Sequence, residues 1–231
     1  MNNSIQQKID KFFSKFEILN YRKGESVIRP EDTPRGVYYV KSGYVKMNLI
    51  LENGRELTVN IFKKGSYFPM MWAISNISNT YYYQVMSKSQ LRRIPKEKFL
   101  DFLRGNPDVV FELLSRILVG FNALVANIEH MLSGSAYDRI IAVLLLLGRR
   151  FGEKMNGKDG AVIVRIPLTH QDIANIAAIT RETASIAIKQ VEKKKLIGRK
   201  GKFLIIKNLS GLVKEKEPIL QKETYDLPLA A

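Results

Sequence analysis

The sequence predicts an α+β protein built from an antiparallel β jelly roll, then one long helix, then a winged helix-turn-helix. Three observations predict it. Short runs of β-formers punctuated by glycines fill residues 1–106. An apolar repeat of threes and fours fills 107–134, and helical segments ending in a basic hairpin fill 135–210. Residues 211–231 remain as a charged tail.

The β-runs are SVIRP, GVYYVKSGYVKMNLIL, ELTVNIFKKGSYF and TYYYQVMS, broken at Gly36, Gly43, Asn53-Gly54 and Gly65. Asn-Gly between apolar alternations is a hairpin signal, because the favoured two-residue turn needs positive φ at its centre. An antiparallel sandwich or jelly roll spaces strands and turns in this way. PKEKFLDFLRGNP then switches to helical spacing.

Pro107 suits a first helical turn, and Asp108 beside it suits the positive end of the helix dipole. Val110, Leu113, Ile117, Leu124, Ile128 and Met131 recur at threes, fours and sevens, with Phe121 in the same stripe. Such a stripe serves either an amphipathic helix lying on its own domain or a seam between two chains. Standing between a complete-looking β domain and a basic domain, it is read as the seam of a homodimer, about four heptads long.

Beyond it, SAYDRIIAVLLLLGRRFG is a helix ended by Gly152, EKMNGKDG a polar loop and AVIVRIP a strand. LTHQDIANIAA begins a helix at Thr169, with Asp172 as its capping-box partner. The next helix takes Thr180 as N-cap, and AAI makes the tight link of a helix-turn-helix. At about 100° per residue, Ala184, Ala187, Ile188 and Val191 share an inner face. Glu182, Ser185, Ile186, Lys189 and Lys193 collect opposite, with Arg181 at the first turn.

An isoleucine exposed among charges fits a thymine methyl in the major groove. Arg181 suits a bidentate pair with guanine, Glu182 suits a cytosine amino group, and Ser185 and Lys189 flank them on the same face. LIGRKGKFLIIKN reads as two strands around a basic turn, a wing. Residues 181–207 hold nine Lys and Arg against two Glu, a composition that fits a phosphate-facing surface.

Composition points the same way. The 231 residues carry 37 Lys and Arg against 22 Asp and Glu, net +15. That favours a polyanionic partner, nucleic acid before membrane, since no segment joins a basic face to a broad apolar one. No cysteine is present, which excludes disulfides, thiolate zinc sites and cysteine-held iron–sulfur clusters. The first residues lack a signal-peptide core, and IIAVLLLLG is far short of the ~20 residues of a spanning helix, so a soluble, cytoplasmic protein is expected. A paired histidine–carboxylate, a phosphate loop and a nucleophile elbow are all missing, so no enzyme is expected.

LTHQDIANIAAITRETASIAIKQVEKKKLIGRKGKF resembles the winged helix-turn-helix of the cyclic-AMP receptor protein and fumarate–nitrate regulator superfamily, most specifically at RET, residues 181–183. The resemblance extends over nearly the whole chain, including the spaced glycines and the NPD that opens the long helix. It implies a cyclic-nucleotide-binding-like β-roll as sensor, a dimerising helix and double-stranded DNA read as an inverted repeat. It also implies RNA polymerase as a partner where the protein activates. Arg181 and Glu182 fall on the family's base-reading positions, and Thr169, His170, Gln171, Thr183, Lys200 and Lys202 on or beside its phosphate contacts. Ile186 stands where relatives carry a second arginine, so one base preference is expected to move toward thymine.

The sensor half departs from that pattern. Pro69 and Met70 stand where cyclic-nucleotide binders resembling this chain have Gly-Glu, and Asn79 and Thr80 where they have Arg-Ser. Leu124 and Val125 replace two base-binding hydroxyls. Each charge-assisted bond so removed is worth about 1.5–3 kcal/mol, so cyclic AMP is not the expected ligand. No cofactor or metal is expected, His130 near the end of the long helix and His170 in the motif helix each being a lone surface or interface histidine rather than a haem ligand. An aromatic and thioether cluster remains: Phe68, Met70, Met71, Trp72, Thr80, Tyr81, Tyr82 and Tyr83. It fits core packing, an apolar effector pocket, or a plugged site with no effector. The function expected is a homodimeric, sequence-specific transcription regulator. A non-specific architectural nucleic-acid binder is the alternative, which a glutamate on the phosphate-facing surface argues against.

Overall fold

The computed structural model describes residues 3–155 and 160–216. They fall into two compact units, Met1–Asn122 and Ala123–Ala231. No helix among the described residues is long and apolar enough to cross a membrane.

The first unit is an eight-stranded antiparallel roll. Its strands are β1 (Ile18–Tyr21), β2 (Ser26–Ile28), β3 (Val37–Ser42), β4 (Val45–Ile50), β5 (Glu56–Phe62), β6 (Tyr67–Phe68), β7 (Tyr82–Val85) and β8 (Ser89–Ile94). They pair as two sheets, β1-β8-β3-β6 and β2-β7-β4-β5. Four helices accompany them: α1 (Asn3–Ser14), α2 (Met70–Ser75), α3 (Lys96–Arg104) and the start of α4 (Pro107–Ser133).

Two cores lie on opposite faces of the first sheet. Tyr38, Val40, Phe68 and Leu91 meet Ile28, Val45, Tyr83 and Val85 of the second sheet. Val37, Tyr39, Tyr67 and Ile94 meet Ile9 and Phe13 of α1, Phe99 and Leu103 of α3, and Val109 and Leu113 of α4. The sequence reading missed α1, although Ile5, Ile9, Phe12, Phe13 and Phe16 follow helical spacing. Lys8 ties this helix to α4 by a 2.6 Å bond to Asp108 and holds that carboxyl below its usual pKa.

The spaced glycines have a steric cause at the β3–β4 turn. Gly43 has φ of 87°, and a Cβ there would lie 1.9 Å from the Ser89 Oγ. Only glycine reaches that conformation and that approach at low cost.

The second unit consists of α5 (Ala136–Phe151), β9 (Gly152–Lys154), β10 (Val162–Val164), α6 (His170–Ala177), α7 (Arg181–Lys193), β11 (Ile197–Lys200), β12 (Phe203–Ile206) and α8 (Leu209–Lys216). The strands form one sheet, β11-β12-β10-β9. Helix α5 starts in a capping box of Ser135 with Asp138 and supplies Ile140, Ile141, Leu144 and Leu147 to the interior. Its Gly148 admits the close approach of Ile206, whose Cδ1 would lie 2.6 Å from an added Cβ.

The charged tail read as starting at residue 211 is corrected over its first residues. There α8 buries Leu212 completely, and Glu215 accepts a 2.8 Å hydrogen bond from the Tyr137 hydroxyl while pairing with Lys194. Residues 217–231 lie outside the described residues.

Phe13 is fully buried, with its ring 4.4 Å from that of Tyr39 and 6.1 Å from that of Phe99. Phe13→Ala is expected to destabilise the first unit by about 3–5 kcal/mol. Urea unfolding followed by the fluorescence of Trp72, the single tryptophan, which packs against the same core, checks it.

Candidate nucleic-acid interface

The helix-turn-helix is fixed by two caps and one strained turn. Thr169 Oγ1 accepts from the Asp172 N–H at 3.1 Å, and Asp172 Oδ2 accepts in return from the Thr169 N–H at 2.9 Å. Thr180 Oγ1 accepts from the Thr183 N–H at 3.2 Å. Each bond satisfies a donor that the first helical turn leaves free. Between the helices Ala178 takes φ of 54°, a left-handed conformation uncommon for a residue with a Cβ.

Burial sorts α7 as its periodicity predicts. Ala184, Ala187, Ile188 and Val191 are buried, while Arg181, Glu182, Lys189 and Lys193 are exposed. Ile186 stands 62% exposed among them. Ser185 is only half-buried on this face, and its hydroxyl lies 2.9 Å from His170 Nδ1. That contact joins the first residue of α6 to the middle of α7.

The wing is β11, a turn at Gly201 and β12. Arg199, Lys200 and Lys202 are exposed on it. Burial, followed by the charge of Arg199, pushes the His170 imidazole below its usual pKa; Arg181 and Lys189 add to this, and Glu192 opposes it. Charges from the wing and from the outer face of α7 therefore both act at the start of α6, as one positive field felt by His170. Arg199 is the member of that field which the sequence reading left out of the site; its place at the root of the basic turn was the available signal.

Of the other phosphate candidates, Thr169 and Gln171 are exposed, and Gln171 donates to Asn175 Oδ1 at 2.7 Å. Thr183 keeps its hydroxyl 2.9 Å from that of Thr180.

The expected seam needs one correction. Leu113 is buried with Val109 in the core of its own unit, and Leu114 is exposed in its place. On α4, Val110, Leu114, Ile117, Phe121, Leu124 and Ile128 are exposed at spacings of four and three. The Met131 and His130 side chains lie outside the described residues.

The aromatic cluster is divided among several parts of the first unit, much of it in core packing. Residues 70–75 form helix α2 rather than a strand, so Met70 and Trp72 pack against the helix-side core while Met71 is exposed. Strand β7 alternates, sending Tyr83 between the sheets and Tyr82 to the hydroxyl of Ser26. Phe68 and Tyr83 stack at 4.8 Å, with Phe62 and Tyr38 at 4.8 and 5.7 Å from Phe68. Tyr81 packs against this stack's core, and Thr80 is exposed.

Nor do the residues there fit a cyclic phosphate. Buried Pro69 has no N–H to give, and Met70 no charge. Asn79 spends its amide on the carbonyls of Arg29 and Tyr81, at 2.8 and 2.9 Å. Residues 69–81 contain no charged side chain.

Two family models match this chain. The cyclic nucleotide-binding domain covers residues 18–106, and the Crp-like helix-turn-helix domain covers 138–215. The chain belongs to the Crp/Fnr family of transcription regulators. The global nitrogen regulator of Nostoc sp. is 28% identical over 78% of this chain and 80% of its own. The cAMP-activated global transcriptional regulator CRP of Pasteurella multocida is 25% identical over 88% of this chain and 96% of its own. A CooA structure from Carboxydothermus hydrogenoformans shares the fold at a TM-score of 0.72, with 20% identity, covering 90% of both chains. This Crp/Fnr protein is accordingly a DNA-binding regulator, and the helix-turn-helix of α6 and α7 is its DNA-binding element.

Removing a cap tests how α7 is held in this Crp/Fnr protein. Thr180→Ala is expected to cost about 0.5–2 kcal/mol of stability in the second unit, measured by thermal unfolding, with DNA affinity falling in parallel.

Proposed function

We propose that the protein is a homodimeric regulator that reads an inverted-repeat operator without cyclic AMP. The exposure of Ile186 in the middle of a cationic helix face carries this reading. An apolar side chain held out among Arg181, Glu182 and Lys189 gains nothing from water, whereas a thymine methyl in the major groove gives it a partner. Arg181 and Glu182 then read guanine and cytosine, with Ser185 held by His170 at the edge of the contact. Thr169, His170, Gln171, Thr183, Lys200 and Lys202 fix the phosphates, with Arg199 beside them.

The exposed stripe of α4 supports a two-chain seam. Val110, Leu114, Ile117, Phe121, Leu124 and Ile128 follow one heptad frame, and Phe111, Leu118 and Val125 widen it on one side. Two chains joined there would present two reading helices to half-sites about 34 Å apart, hence the inverted repeat. The absence of charge across 69–81 and the commitment of Asn79 support independence from cyclic AMP.

Selecting sites from random DNA with purified protein and no added nucleotide tests this reading. A single inverted repeat is expected, with thymine at the position that changes when Ile186→Arg is selected in parallel. A pool with no common sequence would point to an architectural binder. Added cyclic AMP is expected to leave the Kd unchanged. For the seam, Leu114→Glu with Phe121→Glu is expected to give monomers by sedimentation and to weaken operator binding by about 10²-fold or more, since the second half-site is no longer tethered.

A further inference from the structure

On the outer face of α7, Arg181, Glu182, Ile186 and Lys189 each have a fixed hydrogen-bonding character. The arginine and the lysine only donate, the glutamate only accepts, and the isoleucine does neither. Ser185 is different, because a hydroxyl donates its proton or accepts another as its surroundings require. It lies four residues from both Arg181 and Lys189, midway along one stripe of the helix. What Ser185 can offer a base therefore depends on where its own proton goes.

The His170 ring decides that. Its Nδ1 lies 2.9 Å from the Ser185 hydroxyl oxygen, joining residues 15 positions apart on two helices. Neither side chain makes another hydrogen bond among the described residues. Both groups are half-buried and held in place, His170 in the capped first turn of α6 and Ser185 between buried Ala184 and Ala187. In the neutral ring that carries its proton on Nε2, Nδ1 is bare and takes the Ser185 proton, so the serine oxygen faces outward as an acceptor. In the imidazolium, Nδ1–H donates to that oxygen, and the hydroxyl proton turns outward as a donor. A phosphate against Nε2, the role given to His170 above, calls for the Nε2–H form in either state.

The charges acting on the ring come from two elements, Arg199 of β11 and Arg181, Lys189 and Glu192 of α7. Burial, then Arg199, lower its pKa, with Arg181 and Lys189 adding to this and Glu192 opposing it. The free protein at neutral pH therefore carries the neutral ring. Phosphates of bound DNA offset those cations, and a nearby anion favours the imidazolium, so the ring titrates higher on DNA than off it.

We propose that His170 sets which base Ser185 reads, an amino group of adenine or cytosine with the ring neutral and a keto oxygen of guanine or thymine with the ring protonated. His170 is a positioning residue here, acting through Ser185 without touching the base. An arginine or lysine at residue 170 would be charged at every working pH and would leave no such choice. The pairing rests on the operator reading and adds to it one operator position whose preference follows pH.

Duplexes are selected from random DNA with the full-length protein at about pH 5.5 and about pH 8, either side of the usual histidine range. Ser185→Ala, His170→Gln and His170→Ala go through both selections, with thermal unfolding to confirm that each is folded. Ser185→Ala is expected to flatten one position of each half-site and so to identify it. At that position the unaltered protein is expected to favour a different base pair at the two pH values. Titration of duplexes differing only there is expected to show a change in relative affinity of about threefold to tenfold per half-site, the size of one hydrogen bond. Both His170 variants are expected to show one preference at both pH values. An unaltered protein with the same preference at both, or a shift that persists in the His170 variants, overturns the proposal. So does a Ser185→Ala pool identical to the unaltered one at every position. A pool with no common sequence from the unaltered protein at both pH values overturns the operator reading instead.

Discussion

Strand β3 sends Val37 and Tyr39 beneath the helices and Tyr38 and Val40 between the sheets, and all four are buried. A strand covered on both faces has no side on which to absorb a change of volume, because interiors are packed to crystal density. The roll's two cores are therefore coupled through one backbone. On one side the space between the sheets is filled by stacked rings of Tyr38, Phe68, Tyr83 and Phe62. On the other the first turns of α4 are seated through Val109 and Leu113. Aromatic packing fills the space between the sheets, and through β3 it is continuous with the core that seats the root of the long helix.

The DNA-binding unit relies on local bonds rather than on size. Its helix α7 is 13 residues long, too short to persist alone in water, and depends on Thr180, on the αL turn at Ala178 and on four buried residues beneath it. The outer face is then free to hold groups that contribute little to stability, including an isoleucine. That division of labour leaves the outer residues free to vary while the inner ones stay fixed by packing.

Much of this was legible in the sequence because the signals are local. Period 3.6 in α7, the caps at Thr169 and Thr180 and the turn glycines all act within a few residues. What failed depended on distant partners. Leu113 and Leu114 are adjacent and both fit an apolar repeat; only the position of the β roll decides which is buried. The aromatic run from Phe68 to Tyr83 looked like one lining because nothing in it announces that Met70 starts a helix, which turns successive side chains away from each other. Helix α1 was hidden by its polar ends, and α8 by a charged stretch whose one deep anchor, Leu212, is an ordinary leucine. The bond between His170 and Ser185 joins residues 15 positions apart and has no local signature.

The pair Leu113 and Leu114 also sets a phase. One leucine is locked into the β unit and the next opens the exposed stripe, so the helix has a fixed angular setting on the roll. Each residue added to or deleted from the following turn would swing the stripe about 100°, whereas seven would return it to nearly the same bearing. The length of α4 after Leu113 is thus quantised, and sister proteins that keep this β unit are expected to differ there by whole heptads or not at all.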